Sequence, residues 1–278
     1  MARLVEDVKA LEDLARQIRI DVVKTIHQAG DGHPGPALSI TDILVALYFA
    51  TMRIDPQDPS WPDRDRFVLS KGHGCVALYA VLARRGFFSP DLLPSLRSLG
   101  SILQGHPDMN KTPGLDATTG SLGHGISIGL GMAIAARLQG RDYSVFVLTG
   151  DGELEEGIVW EAAISARTLD AGKLIAIVDF NHFQSGSALE ANKGLLPILP
   201  KWQAFGWHCQ EIDGHDIEQI LEAIRIAQAE TNAPSMILAH TIKGKGVPFM
   251  EGNNSWHKRV LTDADLSDAL AALGGSRQ

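Results

Sequence analysis

Residues 145–157 read VFVLTGDGELEEG. An apolar run leads straight into Gly150-Asp151-Gly152 and then into Glu153, Glu155 and Glu156. A short apolar run that stops at glycine reads as a buried strand. In open parallel sheets, ligands sit beyond the carboxyl ends of the strands, and Asp151 stands at such an end. A helix is expected to open just after it, at about residue 154, and its free N–H groups favour an anion such as a phosphate. The flanking glycines let the backbone approach that anion closely. The three glutamates suit the positive end of a helix but would repel a phosphate unless a cation intervenes.

The next apolar run, LIAIVDF at 174–180, ends in Asn181. Asp151 and Asn181 therefore lie at the ends of two strands separated by one helix. Two oxygen ligands from adjacent strand ends suit a hard divalent cation, and magnesium keeps few protein ligands and completes its shell with phosphate oxygens and water. The inferred site is Mg²⁺ bridging a diphosphate to Asp151 and Asn181. Alone, a Gly-Asp-Gly is a common turn and an asparagine after a strand a common turn residue; the pairing across strand ends favours the site.

Outward from this centre the chain alternates. Strands are expected at 143–149, 174–180, 207–213 and 235–240, with helices at about 154–169, 199–205 and 217–230. This order, with continuous apolar strands, predicts an α/β fold of three α/β/α layers around a mainly parallel sheet. Asp216 and Gln219 have capping-box spacing. Upstream, helices are expected over about 6–29, over 39–50 with Ser39 as cap, over 73–85 and over 90–98, with a strand at 66–70. Residues 123–138 are apolar nearly all round and small-rich, which predicts a buried, closely packed helix. The irregular stretch 100–121 is too long and too rich in Gly, Pro and His for a simple connector. Residues 1–278 read as a single domain, with 241–278 an irregular tail carrying a short terminal helix.

Composition narrows the function. The 278 residues are 45% hydrophobic and 21% charged, with a net charge of −8. An acidic chain without a basic stripe argues against nucleic-acid binding. With no long uncharged run and no apolar leader, no membrane association and a cytoplasmic location are expected. Two isolated cysteines, Cys75 and Cys209, make a disulfide framework or thiolate zinc site a poor reading.

Gly-Asp-Gly followed after about thirty residues by an apolar strand ending in asparagine resembles the thiamine diphosphate-binding motif. The segments GDGHPGPALSITDIL, DPSWPDRDRFVLSKGHG, QGHPD, DATTGSLGHGIS, GDGELEEGIVWEAA, KWQAFGWHCQEIDGHD and HTIKGKGV each resemble transketolase segments, in that family's order, over about residues 10–260. The resemblance implies thiamine diphosphate as cofactor, with Mg²⁺ for which Ca²⁺ or Mn²⁺ can substitute, and transfer of a two-carbon ketol unit from a ketose to an aldose. Pentose phosphates are the default substrates.

Of ten histidines, His33, His73, His106 and His257 lie in irregular segments, where functional residues concentrate. None has the i, i+4 spacing of a helical zinc site. Neutral histidines can hydrogen-bond hydroxyls and shuttle protons near pH 7. The resemblance implies that His33 and His106 hold the donor sugar, and that His73 and His257 lie beside the cofactor phosphate and substrate. It also implies cofactor contacts from Gly120, Leu122, the Gly152 N–H and Lys243, and a third metal ligand in the Phe183 carbonyl. His27, His208, His215 and His240 read as structural; His182 is marked only by adjoining Asn181. His124 and Lys258 stand where the family commonly has glutamine and glycine, and are expected to mark an unusual donor or acceptor.

The family's catalytic glutamate, and most of the residues that grip a sugar's distal phosphate, belong to another domain. The chain therefore resembles the N-terminal subunit of a split transketolase, with a C-terminal partner supplying the pyrimidine-binding half, as α2β2. Glu156 matches a glutamate at that interface. Two other readings are the α subunit of a 2-oxo acid dehydrogenase and a non-catalytic homologue.

Overall fold

The computed structural model describes residues 4–184, 189 and 194–275. Five parallel strands form its sheet: β1 (Arg66–Leu69), β2 (Val145–Gly150), β3 (Leu174–Phe180), β4 (His208–Asp213) and β5 (Ser235–His240), in the order β1-β2-β3-β5-β4. Every residue of β2 and β3 is buried, as expected of central strands covered on both faces. Alternate side chains serve opposite cores. Phe146, Leu148, Ile175 and Ile177 join one apolar cluster; Val145, Val147, Leu174 and Ala176 join the other. On the first face pack α1 (Val8–Ala29), α2 (Pro34–Ser39), α3 (Thr41–Val45), α4 (Cys75–Arg85), α8 (Ile217–Ala229) and α9 (Asp263–Ala272). On the second pack α5 (His124–Leu138), α6 (Gly157–Thr168) and α7 (Leu199–Ala204). This is a three-layer α/β/α fold.

Several local expectations change. The helix expected at 39–50 is α2, α3 and a wide-turn segment at Ala46–Thr51. Ser39 caps nothing; its Oγ donates 2.8 Å to Asp179 at the end of β3. The 90–98 helix is a 3₁₀ stretch, Pro90–Ser95, that contains Pro94, which cannot donate to a helical ladder. The segment after Asp151 is a 3₁₀ turn, Gly152–Glu155, with α6 beginning only at Gly157. Asp216 accepts the Gln219 N–H, but the Gln219 side-chain Oε1 accepts the Asp213 N–H rather than that of Asp216, so the capping box is half formed. α5 packs tightly where small residues allow it: a Cβ on Gly129 would fall 2.3 Å from Val147. Its far side, however, is open, with Gly131 and Arg137 exposed and Leu138 74% exposed. β4, at the sheet edge, is only partly buried. Among the described residues, no helix is long and apolar enough to cross a membrane.

Candidate functional site

Register pairs Gly150 with Asp179, so the turns after β2 and β3 emerge side by side. Asp151 is buried; its Oδ1 accepts the Gly152 N–H at 2.8 Å and its Oδ2 the His182 N–H at 2.6 Å. The Asn181 amide donates Nδ2–H to Asp179 at 2.9 Å, while its Oδ1 accepts the Phe183 N–H at 3.2 Å. A carboxylate only accepts, so Asp179 fixes which way that amide faces. Burial, and then the neighbouring Asp179, push the Asp151 carboxyl up to about 7. A bound cation would reverse that shift. The Asp151 carboxylate and the Asn181 amide oxygen, with Phe183 lining the same cleft, offer hard oxygen donors of the kind that could hold Mg²⁺. Among the described residues, no group of three His, Cys, Asp or Glu offers another metal site.

Two buried lysines flank this floor, and sequence reasoning missed the first. Lys71 pairs with Asp179 and donates to the Pro36 carbonyl at 3.2 Å. Asp179 also accepts from Ser39 and Thr241. Burial pushes its carboxyl up, but Lys71 and these donors outweigh that and hold it below the usual carboxylate range. No local signal marks Lys71, because its partner lies 108 residues away. Lys243 is 1% exposed, and burial, then repulsion from Lys71, bring it down to about 8. Its Nζ donates to Asn254 Oδ1 at 2.7 Å and to His257 Nδ1 at 2.9 Å. A lysine ammonium cannot accept, so His257 carries its proton on Nε2.

Above the floor the four histidines converge from four segments. His33 lies 5.3 Å from His73, 5.6 Å from His257 and 6.5 Å from His106, centroid to centroid; His73 and His257 are 5.1 Å apart. Burial, followed by repulsion from neighbouring cations, lowers His33 to about 4 and His257 to about 3, and lowers His73 and His106 as well. All four are neutral at pH 7 and can accept or donate hydrogen bonds to hydroxyls. A cleft of about 350 Å³ is lined by His33, His73 and His257 together with Asp151, Asn181, Phe183 and Lys243. Gly120, Leu122, Gly152 and Glu156 also line it. His106 is exposed at its edge.

The glutamates divide. Glu155 and Glu156 are exposed. Glu153 is buried and accepts from Ser70, from the Gly123 N–H at 2.6 Å and from the Gly150 N–H at 3.0 Å. It thereby ties the end of β2 to the loop carrying Gly120 and Leu122, a role its sequence neighbours concealed. Of the histidines read as structural, His215 accepts the Ile242 N–H on Nε2 at 2.8 Å, so its Nδ1–H donates to Asp42 at 2.7 Å. His27 meets Asp263 and His240 meets Glu211. His208 buries an Nδ1 that has no partner among the described residues. His182 has φ 68 and turns its N–H onto Asp151. His124 is exposed, its Nδ1 3.2 Å from the Leu122 carbonyl.

Comparison with known proteins shows the family. The family described as "Transketolase, thiamine diphosphate binding domain" matches residues 11–277. The chain belongs to the transketolase family. It is 45% identical over 263 residues to a 6-deoxy-6-sulfo-D-fructose transketolase subunit of Clostridium sp. (strain MSTE9), covering 95% of this chain and 96% of that one. It is 40% identical to an apulose-4-phosphate transketolase subunit of Phocaeicola vulgatus, covering 95% and 93%. Human transketolase is 39% identical, but the match spans 92% of this chain and 41% of that protein. The crystal structure of Campylobacter jejuni transketolase superposes with a TM-score of 0.92 at 30% identity, covering 97% of this chain and 43% of that one. The chain thus spans about two fifths of full-length transketolases and nearly all of the separate subunits.

Proposed function

We propose that this chain is the N-terminal, diphosphate-binding subunit of a cytoplasmic two-subunit transketolase, a single domain over residues 1–278 that works with a C-terminal partner as α2β2. The near-complete match to relatives named as subunits supports the split architecture. The sugars in their names carry a sulfonate or a phosphate, so the proposed substrates are a ketose donor and an aldose acceptor with an acidic terminal group. Pentose phosphates are the common members of that class.

Asp151, Asn181 and the Phe183 carbonyl would hold Mg²⁺, for which Ca²⁺ or Mn²⁺ can substitute. Lys243, His73, His257 and the Gly152 N–H would meet the diphosphate of thiamine diphosphate, and Gly120 and Leu122 its rings. Asp151 at present takes the Gly152 N–H, so its carboxylate must turn toward the metal to release that donor. When bound, the cofactor supplies the nucleophilic carbon and the electron sink for C–C cleavage. The chain's own task is the proton. The bond breaks beside a hydroxyl, whose proton must leave as the carbonyl forms, and a neutral His33 or His106 can take it. His257, with its proton on Nε2, can donate to a sugar oxygen. Glu156, exposed at the cleft, is placed to meet the partner's catalytic half.

The observation that carries this reading is the convergence of four neutral histidines over adjacent strand ends bearing Asp151 and Asn181. A 2-oxo acid dehydrogenase α subunit shares the cofactor but has no need of this histidine group, and a non-catalytic homologue has no need of the site. The test is turnover by the assembled pair with thiamine diphosphate and Mg²⁺, offering a ketose and an aldose in one arm and pyruvate in the other. Ketol transfer supports the proposal; pyruvate decarboxylation without ketol transfer, or no turnover of either, overturns it.

A further inference from the structure

At the rim of the histidine group lies a charged cluster that the proposed chemistry leaves unused. Arg97 Nη1 donates to Asp31 Oδ2 at 2.7 Å, and Lys258 Nζ stands 3.7 Å from Asp31 Oδ1. Each member stands beside one of the four histidines. Asp31 precedes His33 by two residues, and Lys258 directly follows His257. Arg97 lays its guanidinium over Gly105, beside His106; a Cβ there would fall 2.6 Å from the guanidinium carbon.

The charge does not balance. Arg97 alone neutralises Asp31, yet Lys258 adds a second cation, in a chain whose net charge is −8. Lys258 has no hydrogen-bond acceptor among the described residues, and neither do Nε and Nη2 of Arg97. Burial, and after it repulsion from both cations, lowers the His33 and His106 imidazoles. The exposed ionised groups that line the cleft itself are Glu155 and Glu156, which would repel an anion.

We infer that Lys258 and Arg97, held together by Asp31, seat the strong-acid oxyanion at the far end of the sugar substrate, a phosphate or a sulfonate. The inference rests on the transketolase reading of the cleft and adds to it. The grip on the acidic end does not belong to the partner subunit alone. Arg97 offers the planar fork and Lys258 a mobile point charge, while Asp31 keeps both at the rim when no substrate is present.

The test uses the assembled two-subunit enzyme. For wild type, Lys258→Gln and Lys258→Arg, kcat and KM are measured with an aldose phosphate, an aldose sulfonate of matched length and an uncharged aldose. Lys258→Gln is expected to lower the anionic-to-uncharged ratio of kcat/KM roughly tenfold, about 1.4 kcal/mol, through KM. Lys258→Arg should restore it. Added salt should weaken the anionic preference of wild type more than that of Lys258→Gln. A larger drop with one anion names the natural group; equal drops show that charge alone is read. An unchanged ratio in Lys258→Gln overturns the inference and leaves the transketolase reading standing. If the wild-type enzyme turns over no sugar at all, charged or uncharged, both fall.

Discussion

Replacing Lys71 by methionine removes a buried cation and leaves its partner in place. Asp179 is 0% exposed and would keep Ser39, Thr241 and Asn181 as donors, but no counter-charge. Removing one member of a buried ion pair costs about 3–5 kcal/mol, because the remaining charge stays desolvated. For a chain of this size each kcal/mol shifts Tm by roughly 2–4 °C, so a fall of roughly 6–20 °C is expected. The loss should shrink at acid pH. Without Lys71 burial dominates, Asp179 rises toward the neutral form, and the cost of the charge disappears once it is protonated. Urea unfolding at pH 5 and pH 8, for wild type, Lys71→Met, Asp179→Leu and the double variant, gives the coupling energy directly. A loss below about 1 kcal/mol for Lys71→Met, the range of a surface pair, would refute the reasoning.

Acidification should destabilise the protein. His33 and His257 stay neutral down to about 4 and about 3, while unfolded imidazoles take protons near 6.5, so the unfolded state binds more protons in that window and stability rises with pH. Asp151, pushed up to about 7, acts in the opposite sense. Asp151→Asn should therefore steepen the rise in Tm between pH 4.5 and 6.5; a flat profile in both proteins contradicts these shifts. Glu153→Gln keeps one acceptor oxygen, enough for Ser70 and Gly123, but sets its N–H₂ against the Gly150 N–H and should cost about 1–3 kcal/mol, read by denaturant unfolding. No measurable loss would mean that Glu153 does not hold the loop. Asp179→Ala releases the Asn181 amide and should weaken Mn²⁺ binding at least tenfold, measured by electron paramagnetic resonance; unaltered affinity would show that Asn181 needs no such support.

The strand ends were readable in the sequence because their signals are local. An apolar run stopping at glycine, and another stopping at asparagine, marked Asp151 and Asn181, and register places them together. The four histidines announced themselves through their Gly- and Pro-rich settings. What the sequence hid depends on contacts between distant segments. Ser39 looked like a helix cap until Asp179, 140 residues on, claimed its hydroxyl. Lys71 carries no local mark of burial. Glu153 is indistinguishable in composition from Glu155 and Glu156; only the fold turns it inward onto Gly123 and Gly150. The periodicity of α5 showed an apolar helix but not that one side would face outward. Lys258 stood out by its residue type, and its link through Asp31 to Arg97 required the tertiary structure.

The central claim is that Asp151 and Asn181 anchor a metal-bound diphosphate. Calorimetric titration of thiamine diphosphate into the assembled two-subunit protein tests it most directly. Binding is predicted with Mg²⁺ present, to be abolished by excess chelator, and to fall at least a hundredfold in Asp151→Ala. Equal affinity with and without Mg²⁺, or undiminished binding by Asp151→Ala, would contradict it.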